Sequence, residues 1–160
     1  MSLIQHPVPE RFLIPIGNIT VSFALLERCI QQLVDFAIPA RQELSQIITA
    51  ELSFAQLRAL AFSLFLNQFG EDENVDIQGL KRLMARAESV EKKRNQITHS
   101  MWLAGKTADE ITRMKTTAKQ KDGLRFHVAS LTVPDLEAVA TEILEVATAV
   151  QDFSIRLMCS

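Results

Sequence analysis

The chain has little of what metal, redox or cofactor sites are built from. Its two cysteines, Cys29 and Cys159, lie in separate apolar stretches and match no metal or redox spacing, so buried reduced thiols are expected. There is no Gly-rich phosphate loop, no Cys/His cluster and no nucleophile elbow. Neither His6 nor His127 stands where it could extend a ligand set with His99. No metal and no cofactor are therefore expected. Basic residues are not in excess either: a net charge of −2 excludes a surface coated for tight, nonspecific nucleic-acid binding and leaves room for a local patch. No run of 18 or more apolar residues goes uninterrupted, and Pro7, Pro9 and Pro15 break the N-terminal one, which also lacks a charged leader and a cleavage site. No membrane span is expected, and a cytoplasmic protein is the default. Repeats, low-complexity tracts and linkers are missing too. At 48% hydrophobic and 22% charged, the 160 residues read as one domain, 1–160, long enough to bury a core.

What is present is mostly helical rhythm. Residues 1–16 read as an extended arm with at most a helical turn near Glu10–Leu13. A first long helix is predicted from Asn18 to Ala37, closed by Pro39, because proline disfavours helix in the residue before it. A short helix near Arg41–Ala50 and a third at Phe54–Phe69 follow, the latter capped by Ser53, stopped by Gly70 and expected to be the central buried helix. After the acidic loop Glu71–Asp76, which lacks the glycine and glutamate of a calcium loop, Asp76 is the candidate cap of a helix running from Ile77 to Trp102 or Leu103. Alternation on both sides of Lys121-Asp122-Gly123 predicts a β-hairpin within 108–131. Thr132 and Asp135 then start a last helix reaching the C-terminus, with a stripe at Leu136, Val139, Ala140, Ile143, Ala147, Val150 and Leu157. The fold class is all-α: a helical bundle with a small hairpin before its last helix.

Two charges stand out on otherwise apolar stripes. Leu80, Leu83, Ala87, Val90, Arg94, Ile97 and Met101 recur in steps of three and four, with Arg94 the one charge among them. Glu27 holds the same place among Phe23, Ile30, Val34 and Ala37 on the first helix. Lone buried ions are costly, so the economical arrangement pairs Glu27 with Arg94 across packed helices. The other arrangement has both side chains reaching the domain edge over their apolar stems.

Arg94 also opens the most informative segment, Arg94-Asn95-Gln96-Ile97-Thr98-His99. With 3 His in 160 residues, an Arg-Asn pair followed by His at one fixed spacing arises by chance with a frequency of about 0.005. With Ser100 and Trp102 after it, late in a long helix, the segment resembles the motif of the HEPN superfamily, small all-helical domains many of which are metal-independent RNases of toxin–antitoxin and phage-defence systems. Glu27 within Ser22-Phe23-Ala24-Leu25-Leu26-Glu27 fits one branch of that group. The resemblance is specific across about Leu80 to Trp102. Elsewhere it is a shared rhythm of helices.

It implies catalysis by Arg94, Asn95 and His99. An unperturbed imidazole titrates near 6.5 and can move a proton at neutral pH, while a guanidinium steadies the extra charge of a phosphorane-like transition state. On the helix, Asn95 and His99 share a polar face with Glu88, Lys92 and Trp102, whereas Arg94 and His99 diverge by about 140°. A two-fold dimer of motif helices would gather both Arg and both His around one cleft, so a homodimer is expected, and the resemblance further implies single-stranded RNA as substrate and an antitoxin protein as partner. The competing expectation is a noncatalytic helical module that binds nucleotide, RNA or protein. The stripe Arg82, Arg86 and Lys93 reads as solvated surface.

Overall fold

The computed structural model describes residues 8–38, 42–119 and 123–159. Among these residues five helices and three strands follow one another as α1 (Glu10–Ala37), α2 (Gln42–Ala50), α3 (Phe54–Phe69), α4 (Ile77–Thr98), β1 (Met101–Ala104), β2 (Ile111–Lys119), β3 (Gly123–Leu131) and α5 (Val133–Cys159). The helical bundle pattern holds, with its small β-element directly before the last helix.

Three boundaries differ from expectation. The N-terminal arm is largely helix, since α1 begins at Glu10 and runs through Pro15. Proline removes one backbone donor there. Phe12, Pro15 and Ile19, at steps of three and four, are all buried, and that burial outweighs the lost bond. Second, α4 stops at Thr98, and Met101–Ala104 form a strand. Third, the hairpin is therefore a three-stranded antiparallel sheet in the order β1-β2-β3. Met101, Trp102 and Leu103 tolerate either conformation, and pairing with β2 decides for the strand. Pro39 and the Lys121-Asp122 part of the turn lie outside the described residues. Gly123 is described, and its φ of 65° is the left-handed conformation that makes glycine suitable there.

The helix caps behave as their side chains dictate. Ser53 and Gln56 form a capping box on α3. Thr132 and Asp135 form another on α5: the Thr132 N–H donates to Asp135 Oδ2 at 2.8 Å and the Asp135 N–H to Thr132 Oγ1 at 3.3 Å. Asp76 caps α4 by accepting the Gly79 N–H at 2.6 Å. A Cβ on Gly79 would meet Asp76 Oδ2 at 2.1 Å, so a side chain at 79 would require that carboxylate to turn.

The chain divides into two compact units, Met1–Val21 with Lys92–Thr141, and Ser22–Glu91 with Glu142–Ser160. In the second unit aromatic rings cluster around buried Phe65, whose centroid is 5.4 Å from Phe69 and 6.1 Å from both Phe36 and Phe153. Leu26, Ile30, Leu33, Leu57, Leu80 and Ile143 are fully buried in the same unit. Here α3 is one-sided: Phe54, Leu57, Ala61 and Phe65 are buried, whereas Leu66 is half exposed. It is not the all-round buried helix its composition suggested, because only four of its positions fall on one stripe.

The same unit holds a charge its sequence pattern did not advertise. Arg58 donates to the Met84 carbonyl at 3.2 Å, lies 3.3 Å from Glu91 and 3.6 Å from Glu88, and sits over the Phe54 ring. Of the cysteines, Cys29 is buried and Cys159 exposed, so the expectation of two buried thiols holds for Cys29 alone. Burial pushes the Cys29 thiol above its ordinary pKa, against a smaller opposing pull from Arg28. Cys159 falls in the last turn of α5, where an apolar sequence context meets solvent.

By length and composition α1 could cross a membrane, its most apolar 18-residue window reaching a mean hydropathy of 1.4. The interruptions at Pro15 and Asn18 did not prevent this. A third of that window is buried.

In the first unit Phe12, Ile19, Ile97, Ile111 and Leu136 form the core. Antiparallel register puts Trp102, Arg113 and Ala129 in one row across the sheet, and Ala104, Ile111 and Leu131 in the next row on the same face. That face carries fully buried Ile111. The opposite face carries Met101, Met114 and Val128 in one row and Thr116 beside Phe126 in another.

Candidate functional site

The candidate site is built at the C-terminal end of α4, where four backbone carbonyls lack helical partners. Side chains meet that of Gln96, and the Arg94 carbonyl, just before these four, takes an additional bond. Thr98 Oγ1 donates back to the Arg94 carbonyl at 3.1 Å, and Ser100 Oγ donates to that of Gln96 at 2.5 Å. The His99 N–H reaches the Asn95 carbonyl at 3.3 Å, so the helical path continues through His99 although α4 formally ends at Thr98. From β2, Arg113 sends Nη1 to the Gln96 carbonyl at 3.3 Å and Nη2 to Gln96 Oε1 at 3.2 Å. A guanidinium at this end also complements the negative pole of the helix dipole.

Arg94 and Asn95 are directly bonded, Arg94 Nη1 donating to Asn95 Oδ1 at 2.9 Å. Arg94 is half-buried with its Nε fully buried, as expected of a charge on an apolar stripe. Its neighbours on that stripe, Leu80, Met84, Ala87, Val90 and Ile97, are buried, with Met84 taking the place expected for Leu83. Met101, the far end of the expected stripe, is 55% exposed on β1.

With Oδ1 engaged by Arg94, the Asn95 amide has its two N–H donors to offer elsewhere. His99 is exposed, and among the described residues its imidazole has no hydrogen-bond partner. Asn95 and His99 stand one turn apart and share a face of the helical path. Donor amide, exposed imidazole and guanidinium thus occupy two successive turns. Lys92 is exposed and stands a turn before Asn95.

The rest of the expected polar face is distributed differently. Glu88 and Arg58 belong together to the other unit, where Glu88 is turned to Arg58. Trp102, expected at the end of the motif helix, is half-buried on β1 opposite Arg113. Ser100 is a capping residue whose hydroxyl is spent on the Gln96 carbonyl. Glu27 is half-buried, and no described ion pair includes it, which matches a long side chain reaching the edge over its apolar stem. His127 lies on exposed β3 within 3.3 Å of Thr117 Oγ1, and His6 lies outside the described residues.

Arg113 and Gln96 were not foreseen as parts of this site. Arg113 gives no local sign of its role, because its partner is 17 residues away and depends on the strand register. Within the other unit, Arg82 and Arg86 line a cleft of about 360 Å³ together with Arg156, Asp76 and Asp152. Arg82 lies 3.6 Å from Asp76, so part of that charge is met locally. Among the described residues no group of three or more His, Cys, Asp or Glu is placed to hold a metal ion. Compared with protein-family models, curated proteins and solved structures, the chain matches none.

Proposed function

We propose that the chain is a metal-independent endoribonuclease of HEPN type that cleaves single-stranded RNA as a homodimer. The observation that supports this reading is the exposed imidazole of His99 one turn from an Asn95 amide whose orientation Arg94 holds. A phosphodiester laid along that face meets the amide as a donor and the imidazole as a proton carrier.

In the proposed reaction the 2′-hydroxyl attacks the adjacent phosphorus. Its proton passes to a neutral imidazole, the O2′–P bond forms and the P–O5′ bond breaks. A protonated imidazole supplies the proton that the departing 5′-oxygen takes up. Two histidines in opposite protonation states do this best, and a two-fold pair of motif segments supplies them. Arg94 offsets the charge that builds on the non-bridging oxygens. The products are a 2′,3′-cyclic phosphate and a 5′-hydroxyl, and DNA is not cut because it has no 2′-hydroxyl. The proposed setting is the cytoplasm, as a toxin or defence protein, with an antitoxin as the partner that would restrain it.

A noncatalytic helical module, binding nucleotide, RNA or protein, is the second reading. What favours it is that both guanidiniums of the motif region have structural duties, Arg94 on Asn95 and Arg113 on Gln96. Incubating the full chain and its His99→Ala variant with end-labelled RNA in EDTA separates the two. Cleavage by the wild type alone, leaving cyclic phosphate ends, upholds the nuclease. Equal products from both proteins, or none from the wild type, gives the second reading the field.

A further inference from the structure

We infer that the open face of the three-stranded sheet docks a second copy of this chain, face to face. Met101 (55% exposed) and Leu103 (39%) on β1 share this face with Leu124 (62%), Phe126 (61%) and Val128 (64%) on β3. Thr112 and Thr116 stand between them on β2. Successive strand residues alternate between faces, so the pattern is a property of the register and not of scattered surface residues. The other face is covered at its Ile111 end, where Ile111 is fully buried, and its exposed β3 side chains are the polar Arg125 and His127.

Charge selects the occupant. Arg113, Lys115 and Arg125 all alternate onto the opposite face, beside Trp102, His127 and Thr117 respectively. Among the described residues the open face therefore carries no formal charge. A nucleic-acid backbone needs cations to replace its counterions, and this face offers none. A strongly charged protein partner would likewise leave its own ions unpaired against it. A charge-poor centre with aromatic and methionine side chains is instead the composition of an interface core.

A copy of the same face meets these requirements, because a two-fold axis brings an uncharged apolar surface onto itself. Two sheets stacked at roughly 10 Å interdigitate their side chains in this way. The area is sufficient as well. At roughly 100 Å² newly covered per exposed large side chain, the five residues on each copy remove about 1,000 Å² in all, the lower bound for a specific interface before Met114 and the threonines are added. Each copy's share, about 500 Å², is the size of the largest apolar patch on a typical monomer, and such patches are often functional. The inference rests on the sheet alone and does not require His99 to be catalytic.

Sedimentation equilibrium or light scattering of the full chain across a wide concentration range tests it. The wild type is expected to weigh two copies, and Phe126→Asp and Val128→Asp one copy each, a twofold fall in mass. Circular dichroism should be unchanged in both, because each position is already exposed. Phe126→Leu, which keeps the face apolar, should remain dimeric. A wild type that is monomeric throughout overturns the inference, as does a dimer that persists in both aspartate variants. A dimer that dissociates in Val21→Asp but not in Phe126→Asp would move the interface to α1, where Val21 is 71% exposed, and would overturn it equally.

Discussion

Arg94 and Asn95 are neighbours in sequence, and the Nη1 of one donates to the Oδ1 of the other at 2.9 Å. An arginine on an apolar stripe thereby meets a fixed partner, and the amide is oriented before any ligand arrives. The same bond gives the first half of the motif a structural role that can be measured apart from any reaction.

Asn95→Ala removes the acceptor and leaves the half-buried guanidinium with one bond fewer. A loss of about 1–2 kcal/mol is expected in urea denaturation, at the low end for a hydrogen bond to a charged group because both partners are only half-buried. Asn95→Asp, which keeps an oxygen in place, should retain most of the stability. An alanine variant as stable as the parent would show that the bond contributes nothing.

His99→Ala should behave in the opposite way. The side chain is exposed, so unfolding free energy should stay within about 0.5 kcal/mol of the wild type. RNA cleavage in EDTA should nevertheless vanish if the nuclease reading is right. A variant that loses stability and activity together would point to a packing role instead.

Arg58→Ala tests the most enclosed charge network among the described residues. The Arg58 side chain is 13% exposed and that of Glu91 19%, so the substitution strands a largely buried carboxylate. A cost of about 3–5 kcal/mol is expected, read as a lowered denaturation midpoint. A change below about 1 kcal/mol would mean that water replaces the guanidinium there without penalty.

Asp135 predicts a pH dependence. Hydrogen bonds from the Thr132 hydroxyl and then from the Thr132 backbone hold its carboxyl below the ordinary carboxylate pKa. A depressed folded pKa contributes stability that is fully present above the unfolded value, about 3.9, and is lost as pH falls through the folded one. The stability gap between wild type and Asp135→Asn should therefore be constant near neutrality and narrow progressively below about pH 4. A gap that widens on acidification would refute the assignment.

Much of the helical framework was legible in the residues. The cap at Asp76, the boxes at Ser53 and Thr132 and the burial of Leu136, Ala140, Ile143, Ala147 and Val150 all follow from spacing within one or two turns. The half-burial of Arg94 was legible for the same reason. Strand β1 was not: Met101-Trp102-Leu103 continue a helical rhythm as readily as they alternate, and only a partner at Ile111–Met114 breaks the tie.

Local chemistry by itself therefore determined the caps that start α3, α4 and α5, the stripe that α5 buries, and that Arg94, Asn95 and His99 lie on adjacent turns. Those outcomes depend on interactions a few residues long, which the order of side chains specifies. Tertiary structure alone decided that α4 yields to a strand after Thr98, that Arg113 closes the helix end on Gln96, that Arg58 is largely enclosed between Glu88, Glu91 and Phe54, and that the β3 apolar row faces outward. Each of these turns on which segments, often 10 or more positions apart, come to share a hydrogen bond or a face, and no periodicity in the chain encodes that choice.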